Sequence, residues 1–169
     1  MATIEIDLLK TNLEAAYRAD RWHSLLNNLE PVTDDEWELR PAEYSVELFG
    51  TDPELSIGHI VAHVTGAIVM YTNRAFGDAT MTWDRIQAPG AGKAAMLSWL
   101  DGNVAAMLDG LSALLDDAEL AEERETHWGA RLPVSWFVRT VTNHMLYHSG
   151  EINRQLSIIR GTSGGWVAS

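Results

Sequence analysis

Apolar residues recur at intervals of three and four along four stretches of the chain, which predicts four amphipathic helices. The first runs from Ile6 to Leu29, with Leu9, Leu13, Ala16, Trp22, Leu25, Leu26 and Leu29 as its stripe ahead of Pro31. The second follows Asp52-Pro53, takes Ser56 as its N-cap, and carries Ile60, His63, Val64, Ala67, Ile68 and Tyr71 until Gly77 closes it. The third lies between the Pro89-Gly90-Ala91-Gly92 turn and Asp116-Asp117, on a stripe that includes Met96, Leu100, Val104, Met107 and Leu111. Gly102 and Gly110 weaken it slightly. The fourth starts at Pro133, a favoured first-turn residue, and continues through Phe137, Val141, Met145, Ile152, Leu156 and Ile159 to Gly161.

No convincing set of alternating strands competes with these segments, so the predicted fold class is all-α, a four-helix bundle. Ala121 to Leu132 fits a short helix, an irregular loop or a small hairpin. Thr162 to Ser169 reads as a loose Gly/Ser-rich tail unless Trp166 docks it. A length of 169 residues suits one well-buried core, so residues 1–169 are expected to form a single domain.

Charge and composition narrow the chemistry. With 12 basic against 24 acidic side chains the net charge is -12, which repels phosphate backbones and anionic headgroups, so neither nucleic acid nor a membrane surface is an expected partner. Apolar runs are interrupted well before the about 18 residues that a membrane span needs. The absence of a basic, apolar leader at the N-terminus makes a cytoplasmic location the expectation. The chain has no cysteine, which removes disulfides, thiolate nucleophiles and cysteine-bound zinc and leaves histidine, carboxylate and water as metal ligands.

Against that background the histidines stand out. His144 and His148 are four residues apart in the fourth helix, which stacks both imidazoles on one face, and His59 and His63 repeat the spacing in the second. Neighbouring apolar positions turn His63, His144 and His148 toward the bundle interior, where two helices together could hold one ion. The bland alternative is a set of buried neutral histidines, each satisfied by a carbonyl or hydroxyl; burying three such rings together is costly unless something coordinates or hydrogen-bonds them. His23 and His127 have no partner at ligand spacing. Trp136 and Tyr147 flank the histidine face and are candidate pocket walls.

The string Ser56-Ile57-Gly58-His59-Ile60-Val61-Ala62-His63-Val64, paired with His144-Met145-Leu146-Tyr147-His148-Ser149-Gly150-Glu151-Ile152, resembles the DinB-like family. The likeness takes in most of the chain, including the Glu36-Trp37-Glu38-Leu39-Arg40-Pro41 connector. The resemblance implies a four-helix bundle, a homodimer, and a divalent metal held by three histidines, which fall at His63, His144 and His148. The family pattern has a variable residue where His59 stands, so His59 either lines the pocket mouth or has no role. Glu151, three residues beyond His148, either orients that ring as an acceptor or is an ordinary surface carboxylate.

Three nitrogen ligands leave a coordination position open, which suits a catalytic ion, zinc or nickel, acting on a small molecule. Thiol transfer with a low-molecular-weight thiol, isomerisation and hydrolysis all fit. Two other readings stay open: a metal-independent small-molecule binding protein, cyclase or isomerase of a biosynthetic pathway, and a non-catalytic dimeric module that an ion merely stabilises.

Overall fold

The computed structural model describes residues 3–39, 56–90 and 92–161. Three long helices carry the architecture: α4 (Ile57–Phe76), α5 (Lys93–Ser112) and α6 (Val134–Ile159). Among the described residues they follow three shorter ones, α1 (Ile4–Glu14), α2 (Leu25–Leu29) and α3 (Asp34–Glu38). The all-α class predicted from the apolar periodicity is what the chain adopts. A small hairpin of β1 (Glu123–Glu125) and β2 (Arg131–Pro133) adds a two-stranded antiparallel sheet in which Arg124 pairs with Leu132.

The α4 helix packs along both α5 and α6, and α1 closes the bundle against α6 and α5. One continuous core fills the space between them. Leu13, Leu25, Leu29, Ile57, Val61, Val64, Leu100, Met107, Leu111, Phe137, Val138, Met145 and Ile152 have essentially no exposed surface. Along α6 the buried positions Val134, Phe137, Val138, Val141, Met145, His148, Ile152 and Leu156 recur at the three-four spacing of a core-facing stripe, so His148 is part of that stripe.

The first predicted helix is not continuous. After α1 the chain passes through a π-helical turn, Ala15–Ala19, and leaves the helix at Asp20 before α2 begins. Asp20 supplies the reason: its carboxylate accepts from the amides of Trp22 and His23, each at 2.8 Å, and this local bonding competes with helical pairing. Trp22, placed on the stripe by its spacing, is consequently 47% exposed. At the other end, α1 is capped from a distance. Asp117 accepts from the amides of Glu5 and Ile6 at 3.1 and 3.0 Å, which places a carboxylate on the positive end of the helix.

Residues 121–132, which the sequence left open between three forms, contain the end of a 3-10 turn (Asp117–Ala121) and most of the hairpin. Pro133 ends β2 and serves as N-cap of α6; it is not a first-turn residue. Ser56 caps α4 as expected, its hydroxyl accepting from the His59 amide at 3.2 Å, and Gly77 is the C-cap. Near the same end of α4, the buried indole of Trp37 packs against Gly58 so closely that a Cβ there would lie 2.5 Å from Nε1. The residues Asp52-Pro53, the Arg40-Pro41 end of the connector, Ala91 and the tail 162–169 lie outside the described residues. No helix among the described residues is long and apolar enough to cross a membrane.

Candidate metal centre

Two helices build the site. His63 projects from the middle of α4, and His144 and His148 project one turn apart from α6, so the packing of α4 on α6 joins residues 81 positions apart. One ring nitrogen from each imidazole lies within 4.8 Å of the other two. The Nε2 atoms of His63 and His144 are 3.2 Å apart. Two nitrogens bound tetrahedrally to one zinc at about 2.0–2.1 Å stand about 3.3 Å from each other, so the spacing fits a shared ion.

His148 is backed by a carboxylate. Its Nδ1 lies 2.6 Å from Oε2 of Glu151, one helical turn on, in a partly buried pair. With Nδ1–H donating to the carboxylate, the lone pair is left on Nε2. Glu151 therefore lies against the His148 ring, at hydrogen-bond distance from its Nδ1. Replacing Glu151 with alanine is expected to weaken zinc binding by about 10–100-fold, and glutamine, which keeps an acceptor oxygen, by less. A competition titration against a chromophoric chelator measures both, and equal affinities in all three proteins would remove the role.

The electrostatics favour the neutral form of two of the three rings, His144 and His63. His144 is pushed down from the ordinary 6.5 to about 4, first by burial and then by the nearby His148 and His63 rings, with Glu151 opposing. His63 is also lowered, by burial first and then by His148 and His59, again against Glu151. Because a metal takes an imidazole only in its neutral form, these depressions keep the lone pairs available at neutral pH. They also fix the sign of a pH effect on the metal-free protein. Between pH 6.5 and about 4 the unfolded chain binds a proton at His144 that the folded chain does not, so stability is intact above 6.5 and is lost as pH falls through that window. The Glu36 carboxylate, held at about 2 chiefly by its hydrogen bond from Arg160, loses its contribution only below its ordinary 4.5. Melting temperatures from pH 7 to 4 should therefore fall, and His144→Ala should flatten the slope; a flat wild-type profile would contradict the assignment.

The other candidates fall elsewhere. His59 is exposed one turn before His63 and touches the triad only through its field on that ring. Tyr147 does flank the site, its ring edge-on to His148 at 4.9 Å, and is 71% exposed. Trp136 is not brought to the histidines. Eight residues before His144, about 12 Å along the helix, it packs on Tyr71, Trp128 and Phe137. His127 joins that aromatic group through Tyr71 and Trp128, and His23 sits against Asp20. One residue escaped the sequence reading: Trp83, whose indole is stacked on His63 with planes 4° from parallel. The available signal was Gly66 in the interior of α4, three residues on, where a small side chain admits a close neighbour.

The family model of the DinB superfamily matches residues 18–152, a span that includes all three histidines and Glu151. The chain belongs to the DinB superfamily. Neither a curated protein nor a solved structure matches it. As a DinB domain it is helical, and its three gathered histidines could hold a metal ion.

Proposed function

We propose that this chain is a divalent-metal-dependent enzyme acting on a small molecule, with His63, His144 and His148 as the metal ligands. The convergence of three imidazole nitrogens within 4.8 Å, from two helices, carries the reading. Zinc and nickel suit an all-nitrogen donor set in a chain without cysteine. When bound, such an ion supplies Lewis acidity to a small ligand that brings an oxygen or sulfur donor.

The chain's own groups prepare that position. Glu151 holds the proton on Nδ1 of His148 and so keeps Nε2 free. Desolvation and the neighbouring imidazoles lower His144 to about 4 and also lower His63, which favours the neutral form of both rings. Tyr147, exposed beside His148, offers an aromatic edge and a hydroxyl to an incoming substrate. The substrate class favoured is a low-molecular-weight thiol, in transfer or isomerisation, with hydrolysis as the remaining reaction type. The acidic net charge of -12 supports a small-molecule partner over nucleic acid or a membrane surface. A cytoplasmic homodimer completes the proposal; Ile4, Leu8 and Leu146, apolar and exposed along a groove of about 850 Å³ between α1 and α6, support self-association.

The test is consumption of a small thiol with a chloronitrobenzene electrophile, and hydrolysis of an activated ester, by metal-stripped and zinc- or nickel-reloaded protein. Turnover that vanishes on stripping and returns on reloading supports the reading. Equal turnover in both states would transfer the site to metal-free chemistry. A rise in melting temperature on reloading with no turnover would make the ion structural.

A further inference from the structure

The three imidazoles are held differently. His148 has a carboxylate on its outer nitrogen, and His144 is fixed beside it on the same helix, their ring centroids 4.4 Å apart. His63 comes alone from α4, is exposed, and has no carboxylate or carbonyl on its ring among the described residues. A ring free to turn about its side-chain torsions would pay rotational entropy each time it bound an ion.

What lies on it is an indole. Trp83 is stacked on His63 with centroids 5.6 Å apart and planes 4° from parallel. Its approach depends on Gly66, where a Cβ would stand 3.0 Å from Cζ3 of the indole. The segment that carries Trp83 is tied back to α4 by two adjacent residues. Asn73 accepts from the Met81 amide at 2.8 Å and donates to Asp78 at 2.9 Å. Arg74 donates to the Met81 carbonyl at 3.0 Å. Arg74 is 8% exposed, takes part in no ion pair among the described residues, and has an Nε without a partner. Burying an uncompensated guanidinium is costly, and its visible return is the anchoring of this segment over the helix. Arg85 adds a hydrogen bond to the Thr80 carbonyl within the same segment.

We propose that Trp83 is a positioning residue for the metal centre: stacked on His63 and anchored through Asn73 and Arg74, it fixes the imidazole plane so that Nε2 stays aimed at the ligand position shared with His144 and His148. The proposal rests on the metal-binding reading above and goes beyond it in assigning the third ligand its support.

Two measurements on wild type, Trp83→Ala and Trp83→Phe test it. The first is the proton spectrum of the His63 ring in metal-free protein, where an indole on its face shifts the ring protons upfield. The second is the zinc dissociation constant. Trp83 is 43% exposed, so Trp83→Ala should still fold, and its metal-free melting temperature is the control. The expected result is loss of the upfield shift and an about tenfold or greater weakening of zinc binding in Trp83→Ala, within the range of outer-partner losses, with most of both restored by phenylalanine. Unchanged zinc affinity in Trp83→Ala would overturn the role of Trp83 while leaving the three-histidine reading intact. A wild-type protein that takes up no zinc would instead overturn that reading, and this role with it.

Discussion

Alanine at His63, His144 or His148 is expected to lower zinc affinity by more than the about 100-fold that marks the upper range for losing an outer partner. Each removal leaves two nitrogens, and two neutral imidazoles do not enclose an ion that prefers four ligands. The three variants should not be equal. His148 is the proposed ligand with Glu151 on its Nδ1, and it is also 9% exposed within the core stripe of α6, so its loss would combine a missing nitrogen with a small cavity and an unpaired carboxylate. His63 is exposed, so its removal should weaken zinc binding while leaving the metal-free fold nearly untouched. His63→Ala thus separates ligation from stability, and the chelator-competition constant read beside the metal-free melting curve checks it. Zinc binding within a few fold of wild type in His63→Ala would exclude a site shared by α4 and α6.

Phe137→Ala is expected to cost about 3–5 kcal/mol, the usual loss for a buried phenylalanine, out of the about 5–15 kcal/mol that holds a domain folded. Phe137 has no exposed surface and lies edge-on to Tyr71 of α4 and to Trp136, with centroids 6.1 and 5.2 Å away. It therefore locks α6 to α4, the two helices that carry the three gathered histidines. At roughly 2–4 °C per kcal/mol for a chain of this size, the melting temperature should drop by roughly 10 °C. Zinc held by the folded form should recover part of the loss. A drop of less than about 2 °C, under 1 kcal/mol, would mean that this aromatic layer does not tie the helices together.

The parts of this molecule that were legible in the sequence are those where local pattern and tertiary packing agree. The second, third and fourth helices are amphipathic and well punctuated, so Ser56, Gly77 and Gly161 mark their ends closely. The triad was legible because four-residue spacing fixes a face, and Glu151 because three-residue spacing puts it on the same face as His148. The break in the first helix was hidden because apolar spacing continues through it, while the deciding interaction is one Asp20 side chain taking two amides. The hairpin was one of three forms left open for Ala121 to Leu132, because three-residue strands are too short to show alternation. Trp136 was expected beside the histidines and Trp83 was not, for one reason: helical spacing gives direction around an axis but not which loop crosses it. Trp136 lies about two turns from His144, and Trp83 reaches His63 from a segment outside both helices that carry the three histidines.

The central claim is that α4 and α6 together hold one ion, and metal content tests it most directly. Tag-free protein, prepared without a nickel column, would be analysed by plasma mass spectrometry for wild type, His63→Ala and His144→Ala, as isolated and after dialysis against zinc. The account predicts close to one divalent ion per chain in wild type and near-complete loss in both variants. Wild-type protein that stays metal-free and does not saturate near one zinc per chain, or variants that retain a full complement, would contradict it.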